Sequence, residues 1–372
     1  MDWTHHSFTK DEYYHSLSML SIKNDCETIK ALQFTLNQPI IILSMLPYLS
    51  LFCKALEEYM IERDAISSLS NNSSYSMSNI RSKLKLFNQR YSRSLRYVEE
   101  VNNVQDQIFK NKLRFRLLEL LNCYYNMGIF FDAEGNIIGN TQLLFSFFQE
   151  KTPKTKNPTK EELKQFGVEL GTIINSTCEG LASFAPDCRP LITNIQFDLY
   201  FKDINTNKHP LFSEELNIEK SESLVLFHTL TSVNFLRSII RRIVDKQNPW
   251  RLRLEYISMY YTYKQIVTIN ENTHNAKLRE ELSQCLSQLD STLINTTFRS
   301  CMMHYSFINN GHYCISDEFI DFQLPFGGLV ESCFSGMNYG NLLEAVEAFM
   351  DRLAYHLLLI CNINSHKIKP LN

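Results

Sequence analysis

The residues best suited to chemistry lie in the run Phe298-Arg299-Ser300-Cys301-Met302-Met303-His304-Tyr305. An arginine presents a planar, permanently charged set of donors to phosphate oxygens. A histidine titrates near neutral pH and can take up or release a proton. The pair suits metal-free cleavage of RNA, which needs a base for the 2′-hydroxyl, an acid for the leaving 5′-oxygen and positive charge on the phosphorane-like transition state. Ser300 precedes His304 by four residues, so a helix places both on one face, where the serine can orient the imidazole or touch the phosphate. Arg299 and His304 diverge by roughly 140° around a helix. The long arginine must reach around, or two copies of the segment must face each other across a dimer. The spacing alone is close to chance in a chain with sixteen arginines and ten histidines. A histidine on an apolar helix is more often a satisfied core or interface group than a catalyst.

Other constellations are weaker. His312, Asp317, Glu318 and Asp321 lie just downstream and with His304 offer mixed metal ligands, but their spacing matches no metal motif and reads as a loop with solvated carboxylates. Phosphate-binding, dinucleotide-binding and nucleophile-elbow glycine motifs are all missing, which disfavours P-loop, Rossmann and α/β-hydrolase chemistry. The ten cysteines contain no C-x-x-C, so the expectation is free, mostly buried thiols in a reducing compartment and no metal or cofactor. Tyr256, Tyr260, Tyr261 and Tyr263 could stack bases, although helical spacing makes them core or interface residues first.

The elements that must hold these residues are helical. Eleven glycines and ten prolines in 372 residues are too few for a turn-rich β fold, and a 44% hydrophobic, 21% charged chain can bury a sizeable core. The pattern predicts two helices over 11–66 with a break at Asn37-Gln38-Pro39, a polar loop over 67–78, one long helix from Ile80 to about Asn103 and another over 106–129. Phe131 to Asn136 signals a short hairpin, 141–149 a helix, and 151–160 a linker stopped by Pro153 and Pro158. A helix over 161–184 follows. Ile195, Phe197, Leu199 and Phe201 then alternate as a strand, with Asn205-Thr206-Asn207 expected to turn it back. Helices are expected over 224–244, 250–270, 277–290, 291–307 and 341–361. The apolar run from Pro39 to Cys53, broken by Pro47, is too short to span a bilayer, and the expectation is a soluble, cytoplasmic protein with no membrane partner. The net charge of −3 hides an uneven distribution. Cations dominate from Arg81 to Arg116 and carboxylates from Glu271 to Asp351. The basic stretch can dock nucleic acid, although a solvated helix face is the commoner reading of such a run.

The run Leu293 to Tyr305 resembles the signature helix of the HEPN superfamily, all-α bundles with an R-x4-6-H motif. The resemblance covers at most the C-terminal 150 or so residues and is sharp over about a dozen. It maps the family's arginine to Arg299, its polar residue to Ser300 and its histidine to His304, with Tyr305 as the aromatic that follows. Serine departs from the asparagine, aspartate or histidine more usual after the arginine. The resemblance implies a metal-independent endoribonuclease of a defence, toxin–antitoxin or abortive-infection system. It would act as a homodimer and leave a 2′,3′-cyclic phosphate and a 5′-hydroxyl. Because the motif's surroundings are acidic, RNA would be drawn by Tyr305 and by the basic segments 81–116 and 237–253, including Arg237, Arg241 and Arg242. The expected architecture is mainly α with a small β-hairpin insertion in the middle of the chain. It comprises an N-terminal helical region over 1–150, a linker and α+β segment over 151–217 and a C-terminal bundle over 218–372, with a regulatory protein as a further expected partner. Two rivals are a non-catalytic helical scaffold binding a partner protein, and a metal-dependent nuclease using the downstream carboxylates.

Overall fold

Thr9 opens the first helix through a reciprocal capping box with Glu12, and Pro39 takes the first turn of the second, where its missing N–H costs nothing. These two signals set α1 (Lys10–Thr35) and α2 (Pro39–Glu62). In the computed structural model the chain is described over residues 9–63, 71–85, 90–111, 124–149, 159–181, 191–309, 311–366 and 368–371. The fold is mainly α with a small antiparallel sheet. After α2 come α3 (Asn71–Ser82), a 3₁₀ turn (Lys83–Lys85), α4 (Tyr91–Lys110), the hairpin β1 (Met127–Phe131) and β2 (Ile137–Asn140), α5 (Thr141–Phe147), α6 (Lys160–Leu181) and β3 (Tyr200–Ile204). The C-terminal part holds α7 (Lys220–Phe235), α8 (Pro249–Asn272), α9 (Ala276–Ser287), α10 (Thr296–His304), the β4–β5 hairpin (Ile308–Asn309 and His312–Tyr313), α11 (Leu329–Cys333), α12 (Tyr339–Ile360) and β6 (Lys369–Pro370). A π-turn at Leu236–Ile240 and a last turn at Arg241–Ile243 prolong α7, as one expected helix over 224–244 requires.

Several expectations need correction. Asn71 to Ser78, read as polar loop, is helical; the rest of that loop, the 151–158 linker and the leucine stripe over 113–121 lie outside the described residues. The helix expected from Ile80 ends at Ser82, and Met127 to Ile129 belongs to a strand. The hairpin turn is as anticipated: the Asp132 carboxylate accepts from the backbone N–H groups of Glu134 and Asn136. The later strand falls at 200–204, and Asn205-Thr206-Asn207 does not fold it back on itself. It pairs instead with β1 and with β6, giving the order β2-β1-β3-β6. Local alternation marks a strand but carries no information on a distant partner.

One buried apolar cluster runs from Tyr14 to Leu357 and takes side chains from all three segments marked out along the sequence. The apolar run at Pro39 extends into a 24-residue helix, long and apolar enough to cross a membrane, as does the 24-residue stretch Lys220–Ile243. Most of each is buried inside the fold.

Candidate functional site

The helix carrying Arg299, Ser300 and His304 has nine residues, shorter than the expected span over 291–307. A helix of that length is not stable alone, so its surroundings must fix it. Its N-terminus is capped by Asn295, whose Oδ1 accepts from the Phe298 N–H at 2.9 Å while its Nδ2 donates to the Cys333 carbonyl at 3.1 Å. Phe298 is fully buried, with ring centroids 4.5 Å from Tyr256 and 5.1 Å from Phe334. The other end stops because Tyr305 adopts a left-handed conformation at φ 54°. There Arg253 of α8 donates to the Met302 carbonyl at 2.6 Å, pairs with Asp25 of α1 at 2.6 Å and lies 4.0 Å from the Tyr305 ring centroid. A buried cation on a C-terminal carbonyl satisfies a group the helix leaves unpaired and complements its dipole.

This arrangement corrects two sequence expectations. Tyr305 has no exposed surface and donates its hydroxyl to Asp25 at 2.5 Å, so it anchors the helix end and cannot meet RNA. Arg237 and Arg241 both pair with Asp351 at 2.6 Å, and Arg241 pairs with Glu255 at 3.0 Å as well, so acidic partners already hold them. Arg242 is exposed and packs over Phe197. In the same basic segment Arg251 pairs with Glu255 and Glu347.

What gathers at the motif comes from elsewhere. His304 sits with Nδ1 3.2 Å from Oε2 of Glu58 on α2. The same carboxylate takes two parallel hydrogen bonds of 2.7 Å from Arg81 on α3. Burial opposes the charge on Glu58, but the hydrogen bonds from His304 and Arg81 and their charges outweigh it and hold the carboxyl down at about 2. Lys85, in the 3₁₀ turn, is pushed below the usual ammonium range by burial and by the nearby charges of Arg81 and Arg299, with Glu58 acting against them. Arg299 lies against α8, its guanidinium 5.2 Å from the Tyr260 centroid and 5.8 Å from that of Tyr261. Its Nε is buried and has no hydrogen-bond partner among the described residues. Burial raises the Tyr261 hydroxyl, and the charges of Arg299 and Arg81 moderate the rise.

Three cations, Arg81, Lys85 and Arg299, therefore share one neighbourhood with the Glu58 carboxylate and the His304 imidazole. The His304 side chain is 40% exposed. Ser300 is half-buried, and its hydroxyl makes no hydrogen bond with another described residue. Sequence reasoning found Arg299 and His304. It included Arg81 and Lys85 only within a basic stretch, and it missed Glu58, which lies 246 residues from His304. Tyr260 and Tyr261 are both 5% exposed and serve as a shelf for Arg299 rather than as open stacking platforms.

The downstream residues do not assemble a metal centre. Asp317 pairs with Lys10 at 2.5 Å, and among the described residues no group of three histidine, cysteine or acidic side chains is placed to hold a metal ion. No protein-family model matches the chain, and no curated protein or solved structure matches it either.

Proposed function

We propose that the protein is a metal-independent endoribonuclease, with Arg299 holding the scissile phosphate and His304 acting as the base on the 2′-hydroxyl. The observation that carries this reading is the Glu58–His304 contact beside an excess of cations. A carboxylate on Nδ1 selects the tautomer whose Nε2 carries the free lone pair, and it steadies the imidazolium formed once the proton has moved. Arg299, Arg81 and Lys85 together supply positive potential for a polyanion. The second proton-transfer group is Lys85, whose depressed ammonium gives up a proton more readily than an ordinary lysine, or the His304 of a second copy in a homodimer. The products are a 2′,3′-cyclic phosphate and a 5′-hydroxyl. The setting is a cytoplasmic defence or toxin-type system.

The test incubates RNA with the purified protein in chelator, beside His304→Ala and Arg299→Ala. Each variant is expected to lose about a hundredfold or more in rate. Equal cleavage by all three proteins refutes the mechanism. Adding an excess of His304→Ala to the wild type separates the sources of the acid: a rate that falls as mixed dimers form places a second His304 at the site, and an unchanged rate keeps the site within one chain.

One observation favours a second reading, a non-catalytic scaffold. The bidentate Arg81–Glu58 pair and the seat of Arg299 on Tyr260 and Tyr261 also lock α10 to α2, α3 and α8. On that reading the alanine variants lower the melting temperature and no RNA is cut by any of the proteins.

A further inference from the structure

Cys26 on α1 and Cys178 on α6 bring their sulfur atoms to 2.8 Å although 152 residues separate them. That distance is well inside ordinary contact between two thiols and approaches the roughly 2.05 Å of a bond. Both side chains are buried, Cys26 completely and Cys178 to 4% exposure. The Cys26 sulfur also lies 3.3 Å from the Ile174 carbonyl one turn earlier on α6, so the two helices are in register at this point. The pair is chemically asymmetric. The hydrogen bond with Cys26 holds the Cys178 thiol below its ordinary range against burial and the charge of Glu27, with Lys30 and Lys23 adding to the hydrogen bond's effect. Cys26, hydrogen-bonded to Cys178 and buried, moves the opposite way. Cys53 and Cys285 are buried too, but burial, joined at Cys53 by the charge of Glu57, pushes each up to about 12, which marks them as inert.

We propose that Cys26 and Cys178 form a redox modification site, a thiol pair that a peroxide converts into a disulfide tethering α6 to α1. In the first step the Cys178 thiolate attacks one peroxide oxygen, the O–O bond breaks, and water leaves after protonation, with a sulfenic acid left on Cys178. In the second, the Cys26 sulfur attacks the Cys178 sulfur, the S–O bond breaks, and the thiol proton leaves with the hydroxyl as a second water. The two thiols lose two electrons in total and the peroxide gains them. The tether lands on a sensitive turn of α1, because the neighbouring Asp25 holds Tyr305 and Arg253 at the end of α10. This inference stands apart from the ribonuclease reading and does not need it.

The experiment treats the reduced full-length chain with hydrogen peroxide, blocks remaining thiols under denaturing conditions and maps cross-linked peptides by mass spectrometry. The expected result is a peptide pair joining Cys26 to Cys178, 2 Da lighter than the two free peptides and split by dithiothreitol. Thermal melting of the oxidised protein should rise by about 5 °C, since the closed loop is long. The rise should vanish in Cys178→Ser and on reduction. Free Cys26 and Cys178 after treatment overturn the proposal. So does a cross-link confined to Cys301 and Cys314, the other neighbouring thiols that influence each other electrostatically. Should Cys178→Ser fail to fold, the wild-type peptide map decides alone.

Discussion

Replacing Glu58 with glutamine tests the electrostatic core of the candidate site directly. The carboxyl lies at about 2 in the folded protein against 4.5 for a free glutamate. Taken at face value, that gap of about 2.5 pH units is worth roughly 3.4 kcal/mol of stability. The group is 34% exposed by side chain, so solvent screening cuts the figure to about 1–2 kcal/mol. The sign follows from the depressed value. The carboxylate's contribution is fully present above pH 4.5 and is lost as the pH falls from about 4.5 to about 2. Glu58→Gln removes the charge at every pH while keeping the side-chain volume. Urea unfolding of wild type and variant at pH 7, 4.5 and 2.5 should therefore give a stability difference of about 1–2 kcal/mol at the two higher values, closing towards zero at the lowest. Other carboxylates titrate in both proteins and cancel in the difference. A gap that stays the same at pH 2.5, or one under about 0.3 kcal/mol at pH 7, would refute the account of how Glu58 is held. On the ribonuclease reading the same variant also loses cleavage by at least about tenfold, because the imidazole loses the partner that sets its tautomer.

Two further changes probe the frame that holds the motif. Asp25→Ala leaves Arg253, which is 1% exposed, without its counter-charge and Tyr305 without an acceptor; urea unfolding should show a loss of about 3–5 kcal/mol. A loss below about 1 kcal/mol would mean that the Arg253–Asp25 pair does not anchor α10. Gly328→Ala places a Cβ 1.9 Å from the Phe319 carbonyl oxygen at a backbone φ of 93°, so a thermal melt should show destabilisation of about 2 kcal/mol or more. An unchanged melting temperature would contradict the close packing of the 317–319 turn on this glycine.

The legible parts of the fold were those whose information is local. The break at Pro39, the helix expected from Trp250 and the Asp132–Asn136 turn are each set by neighbouring residues, and the structure has all three at or within a residue of where the chain suggests. Elements that depend on distant partners were not legible. β3 needs β1, some seventy residues earlier, and Tyr200 and Phe201 need Pro370 and Lys369 at the other end of the chain. The same division runs through the candidate site. Arg299 and His304 share one short helix and could be seen together. Glu58 could not, because a lone carboxylate beside Glu57 has no pattern until α2 is laid against α10. Arg237 and Arg241 looked available as charges in a basic run, but pairing with Asp351 from α12 decides their role.

This division explains why the motif helix should be judged by what surrounds it. Nine residues cannot hold a helical conformation unaided, so the directions of Arg299 and His304 are set by Asn295 at one end, by the Asp25–Arg253–Tyr305 cluster at the other and by Phe298 in the aromatic core between them. Asp25, Arg253, Tyr305 and Phe298 are all buried and cannot touch a substrate. Yet rotating the helix by one residue, roughly 100°, would carry His304 off Glu58 and Arg299 off its tyrosine shelf together. A chemical role for the pair therefore predicts coupling: substitutions at Asp25 or Phe298 should lower the cleavage rate as well as the melting temperature, whereas in a purely structural helix only the melting temperature should fall.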